Sequence, residues 1–290
     1  MSDIIIENVK DFNPDHIFDC GQCFRWRREA DGSWTGIAGK RIANIGYVPG
    51  LKEVHINELD KKGSRDLKES EEFWRNYLDL NRDYGKIKRS LSKKDPLMKE
   101  AIASGEGIRI LNQDLWETII SFIISQNNNI PRIKGCIERL SEVAGENIPL
   151  TGGKRAGKEL EDLGLNPRTL PGPKKLASMR EEDLKEVRLG YRAKYLIKAG
   201  EEILERGLPN NYEEVLALTG VGPKVANCIG LFGLHNEASF PIDVWVKRVM
   251  KELYGFDEGD VKGMAEFAEK NFGKLSGIAQ QYLFYYIREK

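Results

Sequence analysis

Residues 218–243 constrain this chain more than any other stretch. They run Leu218-Thr219-Gly220-Val221-Gly222-Pro223-Lys224-Val225-Ala226-Asn227-Cys228 and close on Pro241-Ile242-Asp243. Two glycines one residue apart make a tight turn between apolar runs, and the proline after them suits the first position of a helix. The segment therefore reads as helix, hairpin, helix, with Gly220, Val221 and Gly222 at the turn. Such a helix start offers unpaired N–H groups at the positive end of its dipole, a seat for a phosphate. Lys224 stands just inside that helix, and Asp243 can cap the next one. Each feature alone has an ordinary reading: an αα-hairpin, a solvated lysine, a capping aspartate. A phosphate seat, an amine and a carboxylate in one segment together suggest chemistry on nucleic acid.

Composition is silent on that partner. The chain has 290 residues, 40% of them hydrophobic, enough for a sizeable core spread over two or three domains. Its formal net charge is +0, so DNA affinity must come from charge placed locally, as at Arg188, Arg192, Lys194 and Lys198. No run of about 18 apolar residues occurs, and Ile4-Ile5-Ile6 is too short for a signal-peptide core. The expectation is a soluble intracellular protein with no membrane role. The cysteines are Cys20, Cys23, Cys136 and Cys228. Cys20 and Cys23 have redox or zinc spacing, but no second pair completes a zinc site and no βαβ pattern surrounds them. Free, reduced thiols are expected.

The architecture reads as α+β. Phe24 and Trp26 alternate with Cys23, Arg25 and Arg27, a strand period. Asp31-Gly32 signals a hairpin, with a strand resuming over 33–37 and further strands over 41–48 and 54–56. Helical spacing takes over from Glu71, placing Phe73, Trp74, Tyr77 and Leu78 on one face. After about Asp95 everything looks helical. Three regions follow: a mixed antiparallel-sheet domain over 1–100, a helical domain over 101–210, and a helix-hairpin-helix region over 211–290 packing on it. In the middle region Asp114 and Glu117 form a capping-box pattern before an apolar, centrally buried helix. That helix ends in Ser125-Gln126-Asn127-Asn128-Asn129-Ile130-Pro131-Arg132. Pro131 can open the next helix, which stops at Gly145.

The order of residues over 218–243 resembles the helix-hairpin-helix DNA glycosylases. Lysine at position 224 looks like their bifunctional branch, which cuts the base–sugar bond and then the strand. Endonuclease III-like and adenine-mismatch members usually carry four closely spaced cysteines after the hairpin; only Cys228 lies in that half, so no iron–sulfur cluster is expected. The Asn127 segment, Gly190-Tyr191-Arg192, Ala279-Gln280-Gln281-Tyr282-Leu283-Phe284 and Cys20-Gly21-Gln22-Cys23-Phe24-Arg25-Trp26 resemble the 8-oxoguanine DNA glycosylases, from about residue 18 to 287.

That resemblance implies a division of labour. Lys224 would be the nucleophile, passing through a Schiff base to β-elimination, and Asp243 would stabilise the positive charge developing on the sugar. Cys228 and Phe284 would wall the lesion pocket, Gln280 would read the Watson–Crick edge, and the Gly21 carbonyl would accept from N7–H of 8-oxoguanine. Tyr191 would wedge into the vacated stack while Asn127, Arg132 and Arg192 read the unpaired cytosine. The hairpin would grip the DNA backbone, with a structural cation on the carbonyls of Leu216, Leu218 and Val221; no catalytic metal or other cofactor is implied. The partner would be duplex DNA containing oxidised guanine, bound by a monomer. Two departures stand out: Trp245 and Ile287 occupy positions where animal members carry a histidine and its acidic partner. Without a basic tail or leader, a bacterial or archaeal cytoplasmic enzyme is expected. Two other functions stay open on the residues alone: a glycosylase for another damaged base, and a non-catalytic DNA-binding repair module.

Overall fold

The computed structural model describes residues 4–61 and 65–290. Near the N-terminus five strands form one antiparallel sheet: β1 (Ile4–Ile6), β2 (Trp26–Arg28), β3 (Trp34–Ala38), β4 (Arg41–Val48) and β5 (Glu53–Glu58), in the order β1-β5-β4-β3-β2. The expected hairpin forms where Gly32 supplies a φ of +88°, and Trp34 pairs with Arg28 across it. Gly36 has a steric reason of its own: a Cβ there would lie 2.2 Å from the Trp26 ring. Trp26 in turn stacks on Phe18 at 4.1 Å and donates its indole N–H to the Tyr77 hydroxyl at 3.0 Å. β1 pairs with β5, Ile4 opposite Ile56, and was not expected as a strand.

Helices make up most of the rest. The first four are α1 (Pro14–Phe18), α2 (Leu67–Tyr77), α3 (Tyr84–Lys94) and α4 (Leu97–Ser104), and the middle of the chain adds α5 (Leu115–Ser125), α6 (Ile130–Ala144), α7 (Gly153–Asp162) and α8 (Pro173–Ala177). Then come α9 (Arg192–Arg206), α10 (Tyr212–Leu216), α11 (Pro223–Phe232), α12 (Val244–Tyr254), α13 (Val261–Phe272) and α14 (Ser276–Glu289). The helix expected from Glu71 starts earlier, capped by Asp66. Asp114 caps α5 as expected, accepting from the Glu117 N–H at 2.9 Å. Glu117 does not complete the box: its carboxylate faces the Gly39 N–H at 3.3 Å, joining α5 to the turn between β3 and β4. Burial raises its pKa, and nearby Arg25 opposes this.

Three cores hold these layers. The largest runs from Cys20 and Phe24 through α3–α6 and α8–α14, so the expected second and third regions share one interior, joined by α3 and α4. A second lies between the sheet, α1 and α2. A third, small one packs Ile37 and Ile42 of the sheet against Ile148, Leu160 and Leu165. Arg25 ties the sheet domain to α6: its guanidinium meets the Glu138 carboxylate at 3.1 Å and donates to the carbonyls of Asn166 and Arg168.

Candidate active site

The hairpin after α10 folds for local reasons. Gly220 sits at φ +82°, where a Cβ would also lie 2.4 Å from the Tyr195 ring, so glycine is required twice over. The Val221 N–H closes the turn on the Leu218 carbonyl at 3.0 Å. Gly222 is the N-cap of α11 and offers no side-chain acceptor, so the first N–H groups of the helix lack a cap from it.

Lys224, in the first turn of α11, is half-buried, with its ammonium 5.8 Å from the centre of the Phe122 ring. One turn later Cys228 is buried, with the charge of Lys224 close enough to act on its thiol. Burial pushes the Cys228 thiol up to about 11 despite the lysine charge beside it. At neutral pH it is therefore a thiol and a poor nucleophile. Asp243 is the N-cap of α12 and accepts from the Val246 N–H at 2.9 Å. Burial raises its pKa, opposed by that hydrogen bond and by the charge on Lys224. Lysine, thiol and carboxylate thus share one electrostatic environment.

The second group of residues comes from opposite ends of the chain. Gly21 lies at φ +78°, and a Cβ on it would stand 3.5 Å from the Phe284 ring of α14. Gln280, one turn before Phe284, is 4% exposed, and its side-chain oxygen has no hydrogen-bond partner among the described residues. A buried amide oxygen left alone is costly, about 1–3 kcal/mol, and marks a position where a donor is missing. α14 reaches α11 through close packing of Gly277 on Leu231.

The third group lies at the junction of α5, α6 and α9. Tyr191 is 43% exposed, and its hydroxyl accepts from the Asn127 amide at 3.4 Å. Asn127 holds φ +45°, a left-handed conformation that asparagine tolerates. Arg132 is exposed and, among the described residues, its guanidinium has no hydrogen-bond partner. Arg192 departs from expectation. It is 5% exposed, and its guanidinium donates to the carbonyls of Gln126 (2.8 Å), Asn127 (3.0 Å) and Leu189 (3.1 Å) while facing the Tyr191 ring. In this structure it holds the asparagine loop and presents no free fork to a base. Of the two departures, Trp245 packs against the main core and Ile287 lies within it.

The sequence reading missed Phe122 under Lys224, and Gln281, whose amide donates to the Cys20 carbonyl at 2.6 Å. One signal for Gln281 was present: a second amide beside Gln280, flanked by the apolar residues Ile278, Ala279, Leu283 and Phe284. All four cysteines are free and buried, and no helix is long and apolar enough to cross a membrane, among the described residues.

Comparison with known proteins places this arrangement. Residues 4–119 match the 8-oxoguanine DNA glycosylase N-terminal domain, and residues 120–274 match the HhH-GPD superfamily of base excision DNA repair proteins. The N-glycosylase/DNA lyase OGG1 of Arabidopsis thaliana is 28% identical over 92% of this chain and 75% of its own length. A probable N-glycosylase/DNA lyase of Methanothermobacter thermautotrophicus is 31% identical over 67% of this chain and 68% of its own. The crystal structure of Clostridium acetobutylicum 8-oxoguanine glycosylase/lyase, with dsDNA containing cytosine opposite 8-oxoG, is 40% identical with a TM-score of 0.87, covering 99% of this chain and 95% of that one. With both halves of the chain matched and the hairpin, lysine and aspartate assembled as described, the chain belongs to the 8-oxoguanine DNA glycosylase family of the helix-hairpin-helix base excision repair superfamily.

Proposed function

We propose that this protein removes 8-oxoguanine lying opposite cytosine in duplex DNA, using the Lys224 amine, and then nicks the strand. Its family makes it a bifunctional N-glycosylase and DNA lyase. The observation that carries the choice of base is a pair of acceptors without donors: the buried Gln280 oxygen and the carbonyl of Gly21, which meets no donor among the described residues. Guanine-type bases donate from N1–H and the 2-amino group, which suits Gln280. Only the 8-oxo form also carries a hydrogen on N7, whereas guanine presents a lone pair there that would repel the Gly21 carbonyl. Phe284 supplies a flat apolar wall for a flipped base.

The chemistry then follows from the first group. An amine must shed its proton before it can attack the sugar, and half-buried Lys224 stands at the start of α11 with its nitrogen 5.8 Å from the centre of the Phe122 ring. Its nitrogen would bond to the anomeric carbon as the glycosidic bond breaks, the base leaving with the electron pair and taking up a proton. Ionised Asp243 would stabilise the positive charge on the sugar during that exchange. Ring opening gives the imine, and loss of a proton from C2′ expels the 3′ phosphate. The hairpin N–H groups and the uncapped start of α11 suit the strand's phosphates. The hairpin carbonyls of Leu216, Leu218 and Val221 would hold a structural cation; Leu218 already accepts one hydrogen bond, from Val221, and retains a second lone pair.

Opposite the lesion, Asn127 and the free guanidinium of Arg132 fit the two acceptors and one donor of cytosine. Arg192 would join them only by releasing its loop carbonyls. Exposed Tyr191 is the wedge.

The test is borohydride trapping on duplex carrying 8-oxoguanine opposite each of the four bases. A covalent adduct fastest opposite cytosine, and absent with Lys224→Gln, is the expected result. Adduct formation that survives Lys224→Gln would remove Lys224 as nucleophile, and equal rates opposite all four bases would remove the cytosine preference.

A further inference from the structure

We propose that Gln281 and Gln113 position the carbonyl of Gly21 by tying down the peptide on either side of it. The inference rests on reading that carbonyl as the acceptor for N7–H. The Gln281 amide in α14 donates to the Cys20 carbonyl at 2.6 Å, and the Gln113 amide donates to the Gln22 carbonyl at 2.7 Å. Gln22 itself is immobilised. Its side-chain nitrogen donates to the carbonyls of Ile17 (2.9 Å) and Arg109 (2.8 Å), and its oxygen accepts from the Leu111 N–H at 2.9 Å. The Cys20 thiol donates to the Ile17 carbonyl at 3.2 Å. Within this network the Gly21 carbonyl alone, of the three in a row, has no donor among the described residues.

The geometry gives those ties a consequence. The Gly21 carbonyl belongs to the peptide joining Gly21 to Gln22, and its direction is set by the peptides before and after. A glycine at φ +78° leaves that peptide wide rotational freedom unless its neighbours are held. Two buried or half-buried amides hold them. Discrimination between 8-oxoguanine and guanine at one contact needs the oxygen fixed within hydrogen-bond geometry before the base arrives. Gln281 lies next to Gln280 and three residues before Phe284, so α14 would carry the edge reader, the wall and the tie together. Gln281 and Gln113 are positioning residues; neither needs to touch the base.

The experiment compares single-turnover excision of 8-oxoguanine with that of 8-oxo-7-deazaguanine, which has a CH2 group in place of N7–H, in wild type and Gln281→Met. Strand cleavage at a pre-formed abasic site, where no base exists to be read, is the control. Wild type should prefer 8-oxoguanine. Gln281→Met should slow its excision about tenfold, the scale of one misaligned hydrogen bond, and leave the analogue and abasic-site cleavage at wild-type rates. Equal slowing of both bases, or of abasic-site cleavage too, would make the glutamine an ordinary core amide and overturn the proposal. A wild type that treats both bases alike would instead sink the Gly21 reading, and the ties with it. If Gln281→Met melts at assay temperature, Gln113→Met at its half-buried site must give the same selective loss, and its failure to do so overturns the proposal.

Discussion

Asp243 combines two demands on one carboxylate. As N-cap of α12 it needs only an oxygen acceptor, which asparagine supplies equally well. As partner of a developing cation it must be ionised in a place where burial disfavours charge. Its folded pKa therefore lies above the unfolded value, and between the two the folded state holds more protons. Stability contributed at this position falls as pH rises through that window and stays lower above it. Asp243→Asn should accordingly melt at a higher temperature than wild type at pH 7, with the gap closing as pH is lowered through the window. The same substitution should cut excision by about 10²–10³-fold, the usual loss when a preorganised electrostatic partner is removed. Thermal melts across pH, run beside single-turnover assays, check both halves. A variant that is less stable at pH 7 would show that the carboxylate supports the fold despite its burial, and one that excises at the wild-type rate would remove Asp243 from the reaction.

At the scale of elements, the sheet domain stays in place beside the helices through Arg25. Its guanidinium is nearly buried and, among the described residues, ion-pairs with Glu138 of α6, which also accepts from the Asn166 N–H at 2.9 Å. Glu138→Ala would leave that charge buried and unpaired, a loss of about 3–5 kcal/mol, readable by chemical denaturation; a loss below about 1 kcal/mol would mean that the Asn166 and Arg168 carbonyls suffice. This pair also marks where the sequence stops being readable. Turns at Gly32 and Gly220 were legible because a positive φ or a crowding ring leaves a local trace. The cap at Asp114 was legible for the same reason, whereas the Glu117 carboxylate went instead to a strand turn far away in sequence. β1 left too short a pattern to declare itself, and its pairing partner lies some fifty residues on. The Gln281–Cys20 tie joins opposite ends of the chain and has no local pattern at all. Arg192 shows the opposite failure: an arginine beside an aromatic suggested a base reader, but only the fold reveals that its fork is spent on loop carbonyls.

For the whole molecule, the formal charge of +0 turns DNA affinity into a question of placement. Four cations near α9 were the natural candidates, and the structure does not leave them equivalent. Arg192 is buried, and Lys198 pairs with Glu201 at 2.6 Å. Arg188 and Lys194 remain exposed, and Lys194 lies over the Tyr195 ring. With few free cations among these four and a hairpin that offers neutral N–H groups, a footprint confined to α9 and the hairpin should displace few counterions. Each neutralised phosphate contributes about −0.9 to the slope of log affinity against log salt. Two or three such contacts predict a slope of about −2 to −3, measurable by fluorescence anisotropy on undamaged duplex. Lys194→Ala should flatten that slope by about one unit, while Lys198→Ala should leave it nearly unchanged because its partner already neutralises it. A steep slope near −6 would mean that cations elsewhere on the surface meet the DNA, and that the footprint extends well beyond α9 and the hairpin.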